Sequence, residues 1–282
     1  MRRFFILTAR LGLVALLCFG GAVASAQGRA DAPKPKPSPV ELPDPSPGWV
    51  IEAGYTEDVE GTIMHRLGFL INVYAQGMHG YITDAARDLH GGVSESSLRK
   101  FRDQLLRGTF AFFEYSWHAG GVRHTRIYVS RSNHDFARYI PAGASDLSEP
   151  GTTEAHYLPD VGVFRFARTA VAVPGSTVLP SHDPQANRAN DAEIKILQTL
   201  KSDIRLNPEM ARGELVGFVS QRPCVSCSPA LRRFASETGA TVRINYVDGA
   251  NLDGRRTPLF RALRQVREVA AALLVSYFFR AS

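Results

Sequence analysis

The order of helix and strand patterns in the last third of the chain restricts the fold more than any other feature. Helical and strand-like patterns alternate there over residues 192–203, 214–220, 223–238, 240–247 and 259–279. The first helix is amphipathic, and both strands are short apolar runs bounded by chain breakers such as Asn207-Pro208 and Asp248-Gly249. Strands joined through a helix lie in one sheet with the helices packed on it. We therefore predict an α/β architecture in which the two strands are adjacent and parallel.

The first residues indicate export. Arginines at positions 2, 3 and 10 precede an apolar run over residues 11–23, and the small residues Ala24 and Ala26 follow it. This pattern predicts a signal peptide over residues 1–26, and hence a secreted or periplasmic protein. The alternative is an uncleaved N-terminal anchor. The last helix pattern is too short and too closely flanked by arginine to span a membrane, so the mature chain is expected to have no stable membrane span.

Residues 27–48 carry seven prolines at nearly every second position from Pro33 to Pro47. Such a run favours extended polyproline II and cannot bury a core. We predict a Pro-rich disordered linker over 27–48, which acts either as a spacer or as a plain disordered leader.

Residues 49–150 form an uncharacterised α+β region. Helical patterns cover 62–76 and 94–106, and strand patterns over 109–117 and 123–130 flank the turn residues Gly120 and Gly121, which predicts a hairpin. This region either supplies the first strands of the C-terminal sheet or forms a separate domain.

Positive charge is concentrated at the C-terminal end. The full chain has 33 Lys+Arg and 27 Asp+Glu residues, but the 95 residues from Arg188 onward hold 15 of the basic and 9 of the acidic ones. A basic half favours an anionic partner such as nucleic acid or nucleotide. A solvated helical face explains the same imbalance.

Two motifs at predicted helix starts carry the chemistry. The first is Asp191-Ala-Glu193, and the second is Pro223-Cys224-Val-Ser-Cys227. The C-x-x-C spacing brings two sulfurs to one metal ion within a helical turn, and a helix N-terminus favours thiolate over thiol. A ligand-x-Glu spacing places a metal ligand and a second carboxylate close together on one helix.

Together these motifs resemble the nucleotide and nucleic-acid deaminase superfamily, whose signature is H-x-E followed by P-C-x-x-C. The stretches 188–200 and 213–247 look like the deaminase domains of bacterial polymorphic toxins, some of which use Asp in place of the first His. The resemblance covers about the last hundred residues. It implies a cytidine-deaminase-like three-layer α/β/α sandwich in a deaminase-like domain over 151–282.

The resemblance also implies an activity. Asp191, Cys224 and Cys227 would hold Zn²⁺, and Glu193 would be the catalytic acid and base of a hydrolytic deaminase. The expected substrate is cytosine or adenine in nucleic acid or nucleotide, with cytosine in nucleic acid favoured by the basic C-terminal half. Export makes a secreted effector or toxin the expected role, and such a protein is expected to have a cognate immunity protein.

Other interpretations account for some of the same residues. A periplasmic thioredoxin-like thiol–disulfide protein would also use Cys224 and Cys227 at a helix start after a strand. A structural zinc or disulfide clip, or an inactive binding module, is a further alternative. Asp191 alone would be an ordinary N-cap residue, and Glu193 alone a first-turn acid favoured by the helix dipole.

Overall fold

The computed structural model of the chain describes residues 48–89, 92–140, 152–158, 167–169, 186–250 and 254–276. The predicted signal peptide (1–26), and all of the predicted linker (27–48) except Gly48, lie outside these residues. The described strands are β1 (Val50–Tyr55), β2 (Phe110–Ala119), β3 (Val122–Arg131), β4 (Ala167–Thr169), β5 (Glu214–Val219) and β6 (Thr241–Val247). The described α-helices are α1 (Thr62–Asp88), α2 (Glu95–Arg107), α3 (Thr152–Tyr157), α4 (Ala192–Leu206), α5 (Cys227–Thr238) and α6 (Pro258–Ser276).

All the described strands belong to one mixed sheet. Its order is β1-β6-β5-β2-β3-β4, with β1, β6 and β5 parallel to one another and β2 antiparallel to both of its neighbours. The predicted parallel pairing of the two C-terminal strands, β5 and β6, is confirmed. The sheet combines strands from the 49–150 and 151–282 regions, which is one of the two arrangements that the sequence leaves open.

The predicted hairpin is formed by β2 and β3. Ala119 pairs with Val122, so only Gly120 and Gly121 make the turn, with φ of 57° and 78°. Two consecutive residues with positive φ are the requirement of a type I′ turn, which glycine meets without steric strain. This turn fixes the register that sends alternate side chains of β2 to opposite faces of the sheet.

Helices cover both faces of the sheet. Phe112 of β2 belongs to a core with α1, α2 and α6, whereas Phe113, the next residue, belongs to a core with α4 and α5. The chain is therefore an α/β protein with a mixed sheet between two helical layers, in agreement with the predicted class. Among the described residues, no helix is both long enough and apolar enough to cross a membrane.

The start of α5 corrects one sequence-based boundary. The sequence predicts a helix from Pro223, but the structure has a turn at Cys224 and begins the helix at Cys227. Backbone hydrogen bonds close this turn, from Cys227 N to Cys224 O at 3.0 Å and from Ser228 N to the same oxygen at 3.2 Å. The two cysteines therefore lie at either end of a turn rather than within one helix.

Candidate metal centre

Three candidate ligands converge where β5 ends. Asp191 immediately precedes α4, Cys224 lies in the turn after β5, and Cys227 begins α5. Asp191 Oδ2 accepts a hydrogen bond from Cys224 Sγ at 3.4 Å and from Cys227 Sγ at 3.6 Å. The carboxylate oxygen and both sulfurs all lie within 4.8 Å of one another, so this triad could hold a metal ion.

The Asp191 carboxylate is not used as a helix cap. Asp191 is at the N-cap position of α4, with extended backbone at φ −70° and ψ 143°, but its side chain makes no capping hydrogen bond. An ordinary N-cap carboxylate accepts a hydrogen bond from the N–H two or three residues later. Here the carboxylate faces the sulfurs, with the Arg188 guanidinium 3.6 Å from the same Oδ2 atom. The N-cap interpretation therefore does not describe this side chain.

The start of α4 is fastened to the loop that follows β3. The Asn133 N–H donates to the Asn190 carbonyl at 2.9 Å. One turn into the helix, the buried Lys195 ammonium donates to the carbonyls of Arg131 at 2.9 Å and Asn133 at 2.7 Å. Burial lowers the pKa of Lys195 to about 8, and the negative charge of Glu154 opposes that shift. These bonds hold Asp191 in place relative to the sheet.

The two cysteines are free thiols in different environments. Cys224 is half-buried, and its sulfur accepts a hydrogen bond from the Cys227 N–H at 3.1 Å. Hydrogen bonding from the Cys227 side chain, together with that N–H, lowers the pKa of Cys224 to about 7 against the opposing effect of burial. The pKa of the buried Cys227 thiol is raised, first by its hydrogen bond with Cys224 and then by burial. Of the two thiols, Cys224 therefore loses its proton more readily.

Glu193 is buried in the first turn of α4. Its side chain is almost inaccessible, with the residue 3% exposed. Burial raises the pKa of Glu193 to about 8, and the negative charges of Cys224 and Asp191 add to the shift. A first-turn acid that only complements the helix dipole would be solvated, so the environment of Glu193 differs from that of a surface acid. Glu193 is outside the ligand triad but interacts with it, and all four predicted site residues are thus brought together.

Two residues that support the site were not predicted from the sequence. Lys195 stands between Ile194 and Ile196 in the first part of α4, where every residue from 192 to 200 is buried, and a lysine is unexpected there. Glu52 of β1 accepts a hydrogen bond from Ser228 at 3.0 Å and so connects β1 to the first turn of α5. Lys195 lies opposite the apolar side of the helical pattern, so nothing in the sequence signals its burial, and nothing local indicates Glu52.

The chain matches no protein-family model, no curated protein and no solved structure. The function of the centre has to be inferred from its own chemistry.

Proposed function

We propose that the chain is a zinc-dependent hydrolase that deaminates nucleobases. The observation that carries the proposal is the approach of the Asp191 carboxylate to both cysteine sulfurs, beside the buried carboxyl of Glu193. The helical layers on both faces of the sheet support the cytidine-deaminase-like sandwich that the motifs imply. The exported character predicted from residues 1–26 supports a secreted effector or toxin with a cognate immunity protein.

The donor set and its spacing support zinc. Bond lengths of about 2.3 Å to sulfur and 2.1 Å to oxygen in a tetrahedral site require an O···S separation of about 3.6 Å. The two O···S distances here are 3.4 and 3.6 Å. Three protein ligands leave a fourth position for water, as catalytic rather than structural zinc sites do. Zinc bound here would lower the pKa of that water and so supply a nucleophile near neutral pH.

Glu193 is suited to move the proton. Its carboxylate takes a proton from the attacking water and returns it to the base as the C–O bond forms and the C–N bond breaks, so that the amine leaves as ammonia. Burial keeps the group away from bulk water and poised to hold a proton near neutral pH. Cytosine or adenine must leave a base stack to reach such a carboxyl, which is usual in enzymes that act on bases.

Metal content and turnover test the proposal. The full chain, the Glu193→Gln variant and the control variant Glu209→Gln, at an exposed site, would be assayed for bound zinc and for ammonia release from cytosine and adenine substrates. Suitable substrates are single-stranded DNA, RNA and free nucleosides. We expect about one zinc in each protein, and turnover in all except Glu193→Gln. A zinc-loaded wild-type chain that is inactive on every substrate, or an active Glu193→Gln variant, would contradict the proposal.

One observation favours a second candidate. The half-buried Cys224, with its pKa lowered to about 7, and the adjacent Cys227 also fit a thiol–disulfide protein of the thioredoxin-like type. That function requires a metal-free dithiol. Rapid insulin reduction by the metal-free chain, abolished by Cys224→Ser but not by Glu193→Gln, would favour it over the deaminase.

A further inference from the structure

A large cleft lined by arginine lies between α2 and α6, on the helical layer opposite α4 and α5. Its volume is about 1040 Å³, and its floor includes Ser220 and Gln221 of the loop that follows β5. Two glutamates and six arginines line it: Glu95, Glu268, Arg99, Arg102, Arg107, Arg256, Arg264 and Arg267. We call this surface the arginine cleft.

The glutamates neutralise only part of this charge. Glu95 pairs with Arg99 at 3.4 Å, and Glu268 pairs with Arg264 at 2.7 Å. The side chains of Arg102, Arg107 and Arg256 are exposed, and no carboxylate of the described residues lies within salt-bridge distance of them. The cleft therefore presents a net positive surface to solvent.

Arg267 makes the floor of the cleft rigid. It is 5% exposed and donates to the carbonyls of Leu106 at 3.1 Å and Gly108 at 2.8 Å, and to Ser220 Oγ at 2.8 Å. A buried guanidinium bound to neutral acceptors keeps its positive charge without a carboxylate beside it. The Arg267 guanidinium thus joins α6 to the end of α2 and to the loop that follows β5.

The loop that follows β5 connects the arginine cleft to the candidate metal centre along the chain. The Gln221 side-chain amide donates to the Arg107 carbonyl at 3.2 Å, which places Gln221 at the arginine-rich end. Cys224 follows three residues later, so at 3.8 Å per residue their Cα atoms are at most about 11 Å apart. Gln221 lies on the cleft side of the sheet and Cys224 on the side of α4 and α5, so a strand that leaves the cleft at Gln221 has to cross the end of β5 to reach the ligand triad.

We propose that the arginine cleft binds the phosphodiester backbone of a single-stranded nucleic acid, and this proposal rests on the proposed deaminase function. Exposed arginines match phosphate geometry, and a strand held along the cleft can deliver an unstacked base to a buried site. Phe260, in the cleft wall, is half-buried against the core and has the Arg256 guanidinium over its ring, 5.7 Å from the ring centroid, which places that arginine in the cleft. A duplex would keep its bases stacked and away from Glu193.

The test measures strand binding by the full chain. Fluorescence anisotropy with labelled oligo-dT and oligo-U, and with a DNA duplex of equal length, would be recorded at several salt concentrations. The cleft variant is Arg102→Gln/Arg107→Gln/Arg256→Gln. The control, Arg87→Gln/Arg205→Gln/Arg232→Gln, removes the same charge from exposed sites outside the cleft. Vesicles with anionic headgroups and vesicles without them provide a further arm.

We expect the wild type to prefer either single strand over the duplex. The cleft variant should bind single strands at least about tenfold more weakly, with the slope of log affinity against log salt reduced by about 2, since each single-strand phosphate contact contributes about 0.7. The control should change affinity less than twofold. Equal losses in both variants, or a cleft variant that loses vesicle binding but not strand binding, would overturn the proposal.

Turnover of a free nucleoside separates this proposal from the proposed function. It should be the same in the wild type and the cleft variant, because a nucleoside carries no phosphodiester. Nucleoside turnover with unaltered strand binding in the cleft variant would overturn the cleft proposal alone. The opposite outcome is that the cleft variant loses strand binding while the wild type deaminates no substrate. That outcome would overturn the proposed deaminase function and support the strand-binding cleft.

Discussion

Asp191 Oδ2 lies 3.4 Å from Cys224 Sγ across a sequence separation of 33 residues. The α4 helix and the β5 strand lie between the two residues along the chain, so the contact is made by the fold and not by local sequence. The two helix starts meet because α4 and α5 pack on the same face of the sheet.

Replacement of Asp191 by Asn should remove the metal without unfolding the protein. The Asp191 side chain makes no capping hydrogen bond, and Asn has nearly the same size, so α4 should still begin at the same place. The variant loses the anionic ligand, and we expect zinc affinity to fall by more than about 100-fold, because loss of a residue that only hydrogen-bonds a metal ligand already costs about 10–100-fold. Competition with a chromogenic chelator measures the affinity, and circular dichroism checks the fold. Zinc affinity equal to that of the wild type would show that Asp191 is not a ligand.

Local sequence patterns indicate which residues meet at the candidate metal centre, but they do not give the order of the sheet around it. Cys224 and Cys227 are close together in the chain, so their spacing alone indicates that they can share one metal ion. The start of a helix restricts where Asp191 and Glu193 can point, so their spacing indicates that they lie near each other. The pairing of β1 with β6, and of β2 with β5, depends on contacts between distant segments. No periodicity within a strand specifies its neighbour, so the sheet order beyond the β2–β3 hairpin and the β5–β6 pair could not be predicted.

The length of α1 shows how tertiary packing overrides a local signal. The sequence predicted a helix over 62–76, but α1 continues to Asp88 through Gly77 and Gly80. Glycine is unfavourable within a helix. At Gly77, however, a Cβ atom would lie 2.5 Å from the Leu158 side chain, so the glycine allows the segment after α3 to pack closely. That contact is not apparent in the sequence of the helix.

The buried ion pair between Arg131 and Glu154 should be essential for stability. Arg131 is 0% exposed and Glu154 2% exposed, with 2.8 Å between Nη2 and Oε2. Glu154→Gln leaves the guanidinium buried without a counterion, which costs about 3–5 kcal/mol of unfolding free energy. Urea denaturation measures the loss. Glu214→Gln, which breaks the exposed pair with Arg123, should cost less than about 1 kcal/mol. Similar losses in both variants would contradict the assignment of a buried pair.

Replacement of two glycines by alanine should change the free energy of unfolding in opposite directions. At Gly213 a Cβ atom would lie 2.5 Å from the Ser116 carbonyl oxygen, so Gly213→Ala should lower the unfolding free energy by about 1–3 kcal/mol. At Gly68, inside α1, the nearest atom to a Cβ is Val266 Cγ1 at 4.0 Å. Gly68→Ala should raise the unfolding free energy by about 0.5–1 kcal/mol, because the unfolded chain loses freedom. Urea denaturation measures both changes. Midpoints of Gly213→Ala and Gly68→Ala that shift in the same direction would contradict the packing described for these two glycines.

The buried Lys195 should make stability rise with pH under alkaline conditions. Its pKa is lowered from 10.5 to about 8 by burial, with Glu154, Arg131, Asp135 and Asp191 as its charged neighbours. Between pH 8 and 10.5 the unfolded chain holds a proton at this lysine that the folded chain has lost. The free energy of unfolding therefore gains up to about 1.4 kcal/mol per pH unit from Lys195 across this window, and nothing from its titration below it.

Comparison of two lysine variants isolates this contribution. Urea denaturation of the metal-free protein would be followed from pH 7.5 to 10.5 in the wild type, in Lys195→Met and in Lys201→Met, which replaces a more exposed lysine of the same helix. Groups other than these two lysines titrate in all three proteins, so their effects cancel in the differences. We expect the free energy of unfolding to depend on pH in the same way in the wild type and in Lys201→Met. In Lys195→Met, we expect the part of that free energy that rises with pH to be absent. A Lys195→Met slope equal to that of the wild type would mean that the ammonium titrates alike in the folded and unfolded chains.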